Sequence, residues 1–128
     1  MSDKKKKSIL LIEKNEEVLN DLINRFRKRD MLVISAKDGY EGYTRACNES
    51  PDYIVTEVLL PSMNGFRLSR LLKFDDRYRN IRIILVTTND TNSSKDMFAA
   101  SGADHILRKP FRFSELINCL LYLSLIHI

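Results

Sequence analysis

The stretch Tyr53-Ile-Val-Thr-Glu57 constrains this chain most. Its apolar residues run on without the alternation of a half-exposed strand. That predicts a short strand covered on both faces, as in a parallel sheet with helices above and below. The stretch ends on a carboxylate, and a loop through Pro61 then closes on Gly65. Open α/β sheets bind ligands just beyond the carboxyl ends of their strands. Glu57 is therefore the position against which every other strand ending is compared.

Taken in order, Ser8–Ile12 is a second buried run, ending at Glu13. Asn15 can cap a helix whose first turn holds Glu16 and Glu17, and Val18, Leu19, Leu22, Ile23 and Phe26 recur on it at helical spacing. Met31–Ala36 is another strand. Asp38-Gly39 opens a helix to about Asn48, with Tyr40, Tyr43 and Ala46 on its inner side, and Pro51 breaks the chain before the central strand. A helix after Gly65 carries Phe66, Leu68, Leu71 and Leu72. Ile81–Val86 is a strand tipped by Thr87 and Thr88, and Asn89–Ser94 is polar loop. Lys95–Ala100 is a short helix stopped by Gly102, and Ala103–Leu107 is a strand tipped by Arg108, Lys109 and Pro110. Ser114 can cap the last helix, which Phe111–Phe113 can also begin. Five strands alternating with helices over short links predict a doubly wound α/β domain.

The composition suits one soluble domain of 128 residues, 44% hydrophobic and 30% charged. The net charge of +4 sits in the first residues: Lys4–Lys7 are four of the 21 basic residues, which leaves 17 against 17 acidic ones. Residues 1–7 are read as a flexible basic arm and residues 8–128 as the domain. With no basic helix and no interleaved aromatics, nucleic acid is not an expected partner. Cys47 and Cys119 lack disulfide or metal-ligand spacing, and the first residues are polar and charged rather than a signal peptide; both fit a reducing cytoplasm. The apolar residues of Leu116–Ile128 are too few to span a bilayer, so no membrane partner is expected. They exceed what one helix face needs. This is compatible with a last helix packed on the sheet, and equally with one whose outer face meets a partner or a downstream domain.

Parallel strands all point one way, so Glu13, Glu57, Thr87 and Lys109 share one edge. Alone, Glu13 is compatible with an exposed residue beside a helix, Thr87 with a loop cap and Lys109 with a surface charge. Together, at four strand tips, they define a polar site. No P-loop or nucleophile elbow is present, and His105 and His127 have no partners at catalytic spacing. A flavin site needs a Ser/Thr/Gly-rich loop after the first strand, and a haloacid-dehalogenase-type phosphatase needs an aspartate there. Glu13-Lys14-Asn15 offers neither, and no enzymatic activity is expected.

Ile9–Lys14, Pro51–Glu57 with Leu60–Gly65, Ile83–Thr87, Gly102–Asp104 and Lys109–Phe111 together resemble the receiver domain of two-component response regulators, from Ile9 to about Leu123. The resemblance implies a five-stranded parallel sheet in the order 2-1-3-4-5 with five helices. It also implies a phosphoacceptor aspartate ending the third strand, an acidic pair after the first strand that helps to hold magnesium, a hydroxyl ending the fourth, and lysine followed by cis proline ending the fifth. Thr87, Lys109 and Pro110 match that pattern. Glu57 replaces the aspartate, Lys14 replaces the second acid, Ile106 stands where a switch aromatic is usual, and Thr88 replaces a smaller residue.

The extra methylene of Glu57 displaces its oxygens from in-line geometry, on which phosphoryl transfer depends. Lys14 removes a metal ligand and adds a cation, so no metal is expected; Glu13 and Glu57 would be the ligands if one bound. Lys14 and Lys109 are instead expected to flank Glu57 in a permanent double-lysine clamp. The resulting expectation is a phosphorylation-independent receiver acting as a protein-interaction module in two-component signalling. Its partner would be a histidine kinase pathway component, a downstream domain, or a second copy bound through the fourth helix, fifth strand and fifth helix. That surface takes in Lys95, Met97, His105, Ile106, Arg108 and the outer side of Asn118–Tyr122, with Phe98 assigned to the core. The alternative is a conventional receiver that still accepts phosphate and binds magnesium weakly.

Overall fold

A computed structural model describes residues 6–89 and 94–126. Most of the basic arm, most of the polar loop before Ser94, and His127 lie outside the described residues. The elements alternate as β1 (Ser8–Ile12), α1 (Glu16–Lys28), β2 (Leu32–Ala36), α2 (Gly39–Glu49), β3 (Tyr53–Glu57), α3 (Gly65–Lys73), β4 (Arg82–Thr87), α4 (Lys95–Ser101), β5 (His105–Arg108) and α5 (Phe113–Leu125). All five strands are parallel, in the order β2-β1-β3-β4-β5. Thr87 and Glu57 are the last residues of their strands rather than the first residues beyond them.

The continuous apolar runs have the physical meaning expected of them. Residues of β1, β3 and β4 alternate between two cores, one on each face of the sheet. Ile9, Leu11, Val55, Ile84 and Val86 pack under α1 and α5, with Phe26, Leu116 and Leu120. Leu10, Ile12, Ile54, Ile83 and Leu85 pack under the middle helices, with Ala46, Leu68 and Leu72. Phe98 joins the second core, as expected.

Helix boundaries follow their caps. Asn15 accepts the Glu17 and Val18 N–H groups, and Asp38 accepts that of Glu41. Gly102, at φ 70°, ends α4 in the left-handed conformation that glycine adopts without penalty. Two expectations are corrected. Ser114 is not the cap of α5: the helix begins at Phe113, and the Glu115 carboxylate accepts the Arg112 N–H at 3.1 Å. Tyr40 is not on the inner side of α2 but 65% exposed. The buried stripe of that helix is Gly39, Gly42 and Ala46, and a Cβ on Gly42 would stand 2.4 Å from the Ile12 Cδ1 atom. Close approach to the sheet is thus achieved with glycine, leaving no room for an aromatic side chain there.

Candidate functional site at the strand ends

The carboxyl edge of the sheet brings Glu13, Glu57, Thr87 and Lys109 together. Lys109 follows β5, and its N–H donates to the Thr87 carbonyl at 2.8 Å, which seats it beside the end of β4. The Lys109–Pro110 peptide bond is cis. The Lys109 ammonium then donates to Glu13 Oε1 at 2.9 Å and to Glu57 Oε2 at 2.8 Å. Both carboxylates are buried, Glu13 at 3% and Glu57 at 7% exposure. The second oxygen of Glu13 accepts the Asn15 N–H at 2.9 Å, while Glu57 Oε1 is buried and has no hydrogen-bond partner among the described residues.

Electrostatics divide the pair. For Glu57, burial first and then the adjacent Glu13 carboxylate outweigh Lys109, so its pKa lies above the ordinary carboxylate value. Burial pushes Glu13 the same way, but Glu57, the Asn15 N–H and Lys109 together outweigh it and hold Glu13 below that value. Burial would lower Lys109, and its bonds to Glu57 and Glu13 overcome this and raise it. Glu13, the carboxylate with more donors, is thus the stronger acid of the two.

The double clamp does not form. Lys14 is exposed and makes no bond to Glu57; among the described residues the Glu57 ion pair is to Lys109 alone. Successive residues leaving a strand face opposite ways, so Glu13 turns into the site and Lys14 turns out, although it borders a shallow cleft shared with Glu57, Thr87 and Thr88. Thr87 is buried, and its hydroxyl accepts the Asn89 N–H at 3.0 Å. Ile106 is half-buried on the opposite core, against the α2–α3 side. Asn15, whose backbone holds Glu13, was visible in the sequence only as a helix cap.

A second feature absent from the sequence reading fixes the loop beyond Glu57. The Gly39 N–H donates to the Pro61 carbonyl at 3.0 Å, and the Tyr40 N–H donates to Ser62 Oγ at 3.1 Å. That hydroxyl in turn donates to Asp38 at 3.1 Å. A Cβ on Gly39 would stand 1.8 Å from the Met63 carbonyl oxygen. The sequence signal was the glycine directly after a capping aspartate.

Three of the four carboxylate oxygens at the site are already engaged by Lys109 and Asn15, and the fourth belongs to the carboxylate that Lys109 holds through its other oxygen. Magnesium takes oxygen ligands in near-octahedral array. One free oxygen, on a carboxylate that a cation already holds, does not fit it, and among the described residues no group of three His, Cys, Asp or Glu side chains converges elsewhere.

A polar cluster at the carboxyl edge of a 2-1-3-4-5 parallel sheet defines the class: a doubly wound α/β domain with its site at the strand ends. The chain belongs to the response regulator receiver domain family, which it matches over residues 9–121. It is 30% identical over 102 residues to PilH of Pseudomonas aeruginosa, spanning 80% of this chain and 84% of PilH. It is also 30% identical over 109 residues to hybrid signal transduction histidine kinase D of Dictyostelium discoideum, spanning 85% of this chain but only 7% of that protein. In fold it is similar to the chemotaxis response regulator CheY4 of Vibrio cholerae, with a TM-score of 0.85 at 24% identity, covering 93% of this chain and 99% of that one. The receiver domain of the Pseudomonas aeruginosa sensor histidine kinase PA1611, with magnesium coordinated in its active site cleft, gives a TM-score of 0.82 at 23% identity, covering 94% and 99%. No helix among the described residues is long and apolar enough to cross a membrane.

Proposed function

We propose that this receiver domain works without phosphorylation, as a protein-interaction module in two-component signalling within the cytoplasm, and not as an enzyme. The observation that carries the proposal is the Lys109 ammonium, bonded at 2.8 and 2.9 Å to the two buried glutamates that occupy the acceptor and first acidic positions. A phosphoryl group arriving at Glu57 would have to break that pair, add negative charge beside Glu13, and do so where no magnesium set supports it. The replacement of an acid by Lys14 and of an aromatic by Ile106 points the same way.

The docking surface is then the fixed face of α4, β5 and α5. Met97, Leu121 and Tyr122 are 53%, 56% and 61% exposed there. Its partner is a pathway protein, a downstream domain or a second copy of the chain. One observation favours the conventional reading: Glu57 Oε1 is uncommitted, as an acceptor oxygen has to be.

Intact mass after incubation with acetyl phosphate and magnesium separates the two. The proposal predicts no phosphoryl adduct on the wild type and an adduct on the Glu57→Asp, Lys14→Asp double variant. An adduct on the wild type would overturn it.

A further inference from the structure

The amino edge of the sheet, opposite the Lys109 cluster, carries a cleft of about 540 Å³ to which signalling assigns no role. Small-molecule sites span roughly 300–1,000 Å³, so the space suffices for a compact organic ligand. Three parts of the chain meet there: the entry to β1, the turn from α1 into β2, and the second half of α5. The Leu32 N–H donates to the Lys7 carbonyl at 3.0 Å, which seats Lys7 beside that turn. A hydrogen bond between the Tyr53 hydroxyl and Ser124 Oγ joins α5 to the start of β3.

Its walls are apolar: Met31, Tyr53, Ile117, Leu120 and Leu121 line it, and Leu121 is exposed although Ile117 and Leu120 beside it are buried. Its charged lining is cationic. Lys7, Lys28 and Arg29 all border the cleft, are exposed, and have no acidic partner among the described residues. Asp30 is the acid in the lining, and Lys6 already holds it at 3.0 Å. Carbonyls at the end of α1 would oppose an anion. Two of them are occupied, however, since Phe26 accepts the Arg29 N–H and Arg27 accepts the Asp30 N–H, both at 3.0 Å. The cleft therefore sets an apolar wall beside three uncompensated cations.

Simpler occupants use only half of this arrangement. A hydrocarbon would cover the wall and leave the cations unmatched. A small inorganic anion would meet them in water, where exposed ion pairs contribute little. A chain with an anionic head gains from both, because apolar stabilisation grows with the area covered and the head brings the missing charge. The geometry points to a binding site for a medium-chain alkyl carboxylate, its chain between Met31 and α5 and its head group among Lys7, Lys28 and Arg29. The site does not rest on the proposed function, since it lies at the sheet edge away from Glu57 and uses none of the residues there.

Decanoate, kept monomeric, is the probe, titrated into the full chain while backbone amide shifts are followed. Acetate, decanol and decyltrimethylammonium are the controls. Decanoate is expected to give saturable shifts at Lys7, residues 28–31 and the second half of α5, at least tenfold tighter than decanol. Acetate and decyltrimethylammonium are expected to give none. Lys28→Gln combined with Arg29→Gln, both at exposed positions, is expected to weaken decanoate about tenfold and leave decanol unchanged. Leu121→Asp, at a position 56% exposed and therefore tolerant of a charge, is expected to weaken decanoate at least tenfold. The inference is overturned if decanol or decyltrimethylammonium binds as well as decanoate, if the shifts map to the carboxyl edge instead, or if the folded double variant binds decanoate normally. It is also overturned if decanoate gives no saturable shift, whether or not the protein cosediments with phosphatidylglycerol vesicles, because the occupant would then be a bilayer or nothing.

Discussion

Replacing Lys109 with Met removes the ammonium that bonds Glu13 and Glu57 while keeping most of the side-chain stem. Breaking a buried ion pair from one side typically costs about 3–5 kcal/mol, because the remaining charge stays desolvated. The chain has an escape, which is to take up a proton. A carboxyl of ordinary pKa 4.5 can be neutralised at pH 7 for about 3.4 kcal/mol, at 1.36 kcal/mol per pH unit. That route caps the penalty of one stranded carboxylate near 3 kcal/mol at pH 7 and shrinks it below about 1 kcal/mol near pH 4.5. With a urea m-value of about 2 kcal/mol/M, the midpoint should fall by about 1.5 M at pH 7 and by less than about 0.5 M at the acid pH. Adding Glu57→Gln to Lys109→Met should restore part of the loss. Equal midpoint shifts at both pH values, or a loss at pH 7 below about 1 kcal/mol, would refute the coupling described for this cluster.

Other substitutions test individual contacts. The depressed pKa of Glu13 contributes stability that is present above pH 4.5 and lost as pH falls through its folded value, whereas the raised pKa of Glu57 contributes below pH 4.5 and is lost as pH rises. Glu13→Gln should therefore cost about 1–2 kcal/mol at pH 7, while Glu57→Gln should be neutral or stabilising, as read by urea unfolding. The raised pKa of Lys109 makes its contribution present below pH 10.5 and lost as pH rises through its folded value, so thermal unfolding midpoints should drop at strongly alkaline pH in the wild type and not in Lys109→Met. Lys14→Ala should change stability by less than about 0.5 kcal/mol, since the side chain is exposed and unpaired with Glu57. Gly39→Ala should destabilise more than Gly42→Ala, for which about 1–3 kcal/mol is expected: the first clashes with the backbone at Met63, the second with a movable Ile12 methyl.

Much of this architecture can be read from residues alone because it rests on patterns a sequence displays. The apolar residues of β1, β3 and β4 follow one another without alternation, as in Ile9–Ile12, Tyr53–Val55 and Ile83–Val86, a pattern that a sheet covered on both faces uses. Asn15, Asp38 and Gly102 announce helix ends by their own chemistry. The strand order came from the family resemblance, since no local pattern specifies which strand lies beside which. Direction at the rim was the part that could not be read. Charge predicted that Lys14 and Lys109 would both find Glu57, but the neighbour of an inward Glu13 must turn outward. The α2 stripe misled for a related reason: its contact face is glycine, and glycine carries no hydrophobic signal. The start of α5 lacked a side-chain cap to mark it, because Glu115 serves the Arg112 N–H from inside the helix.

The central claim is that the Glu13–Lys109–Glu57 cluster fixes the receiver in one state. The most direct test records amide spectra of the wild type with and without magnesium and beryllofluoride, a stand-in for the phosphoryl group. The account predicts unchanged positions for residues of α4, β5 and α5 at saturating additive. Saturable shifts across those elements would show a switch that still responds, and would contradict it.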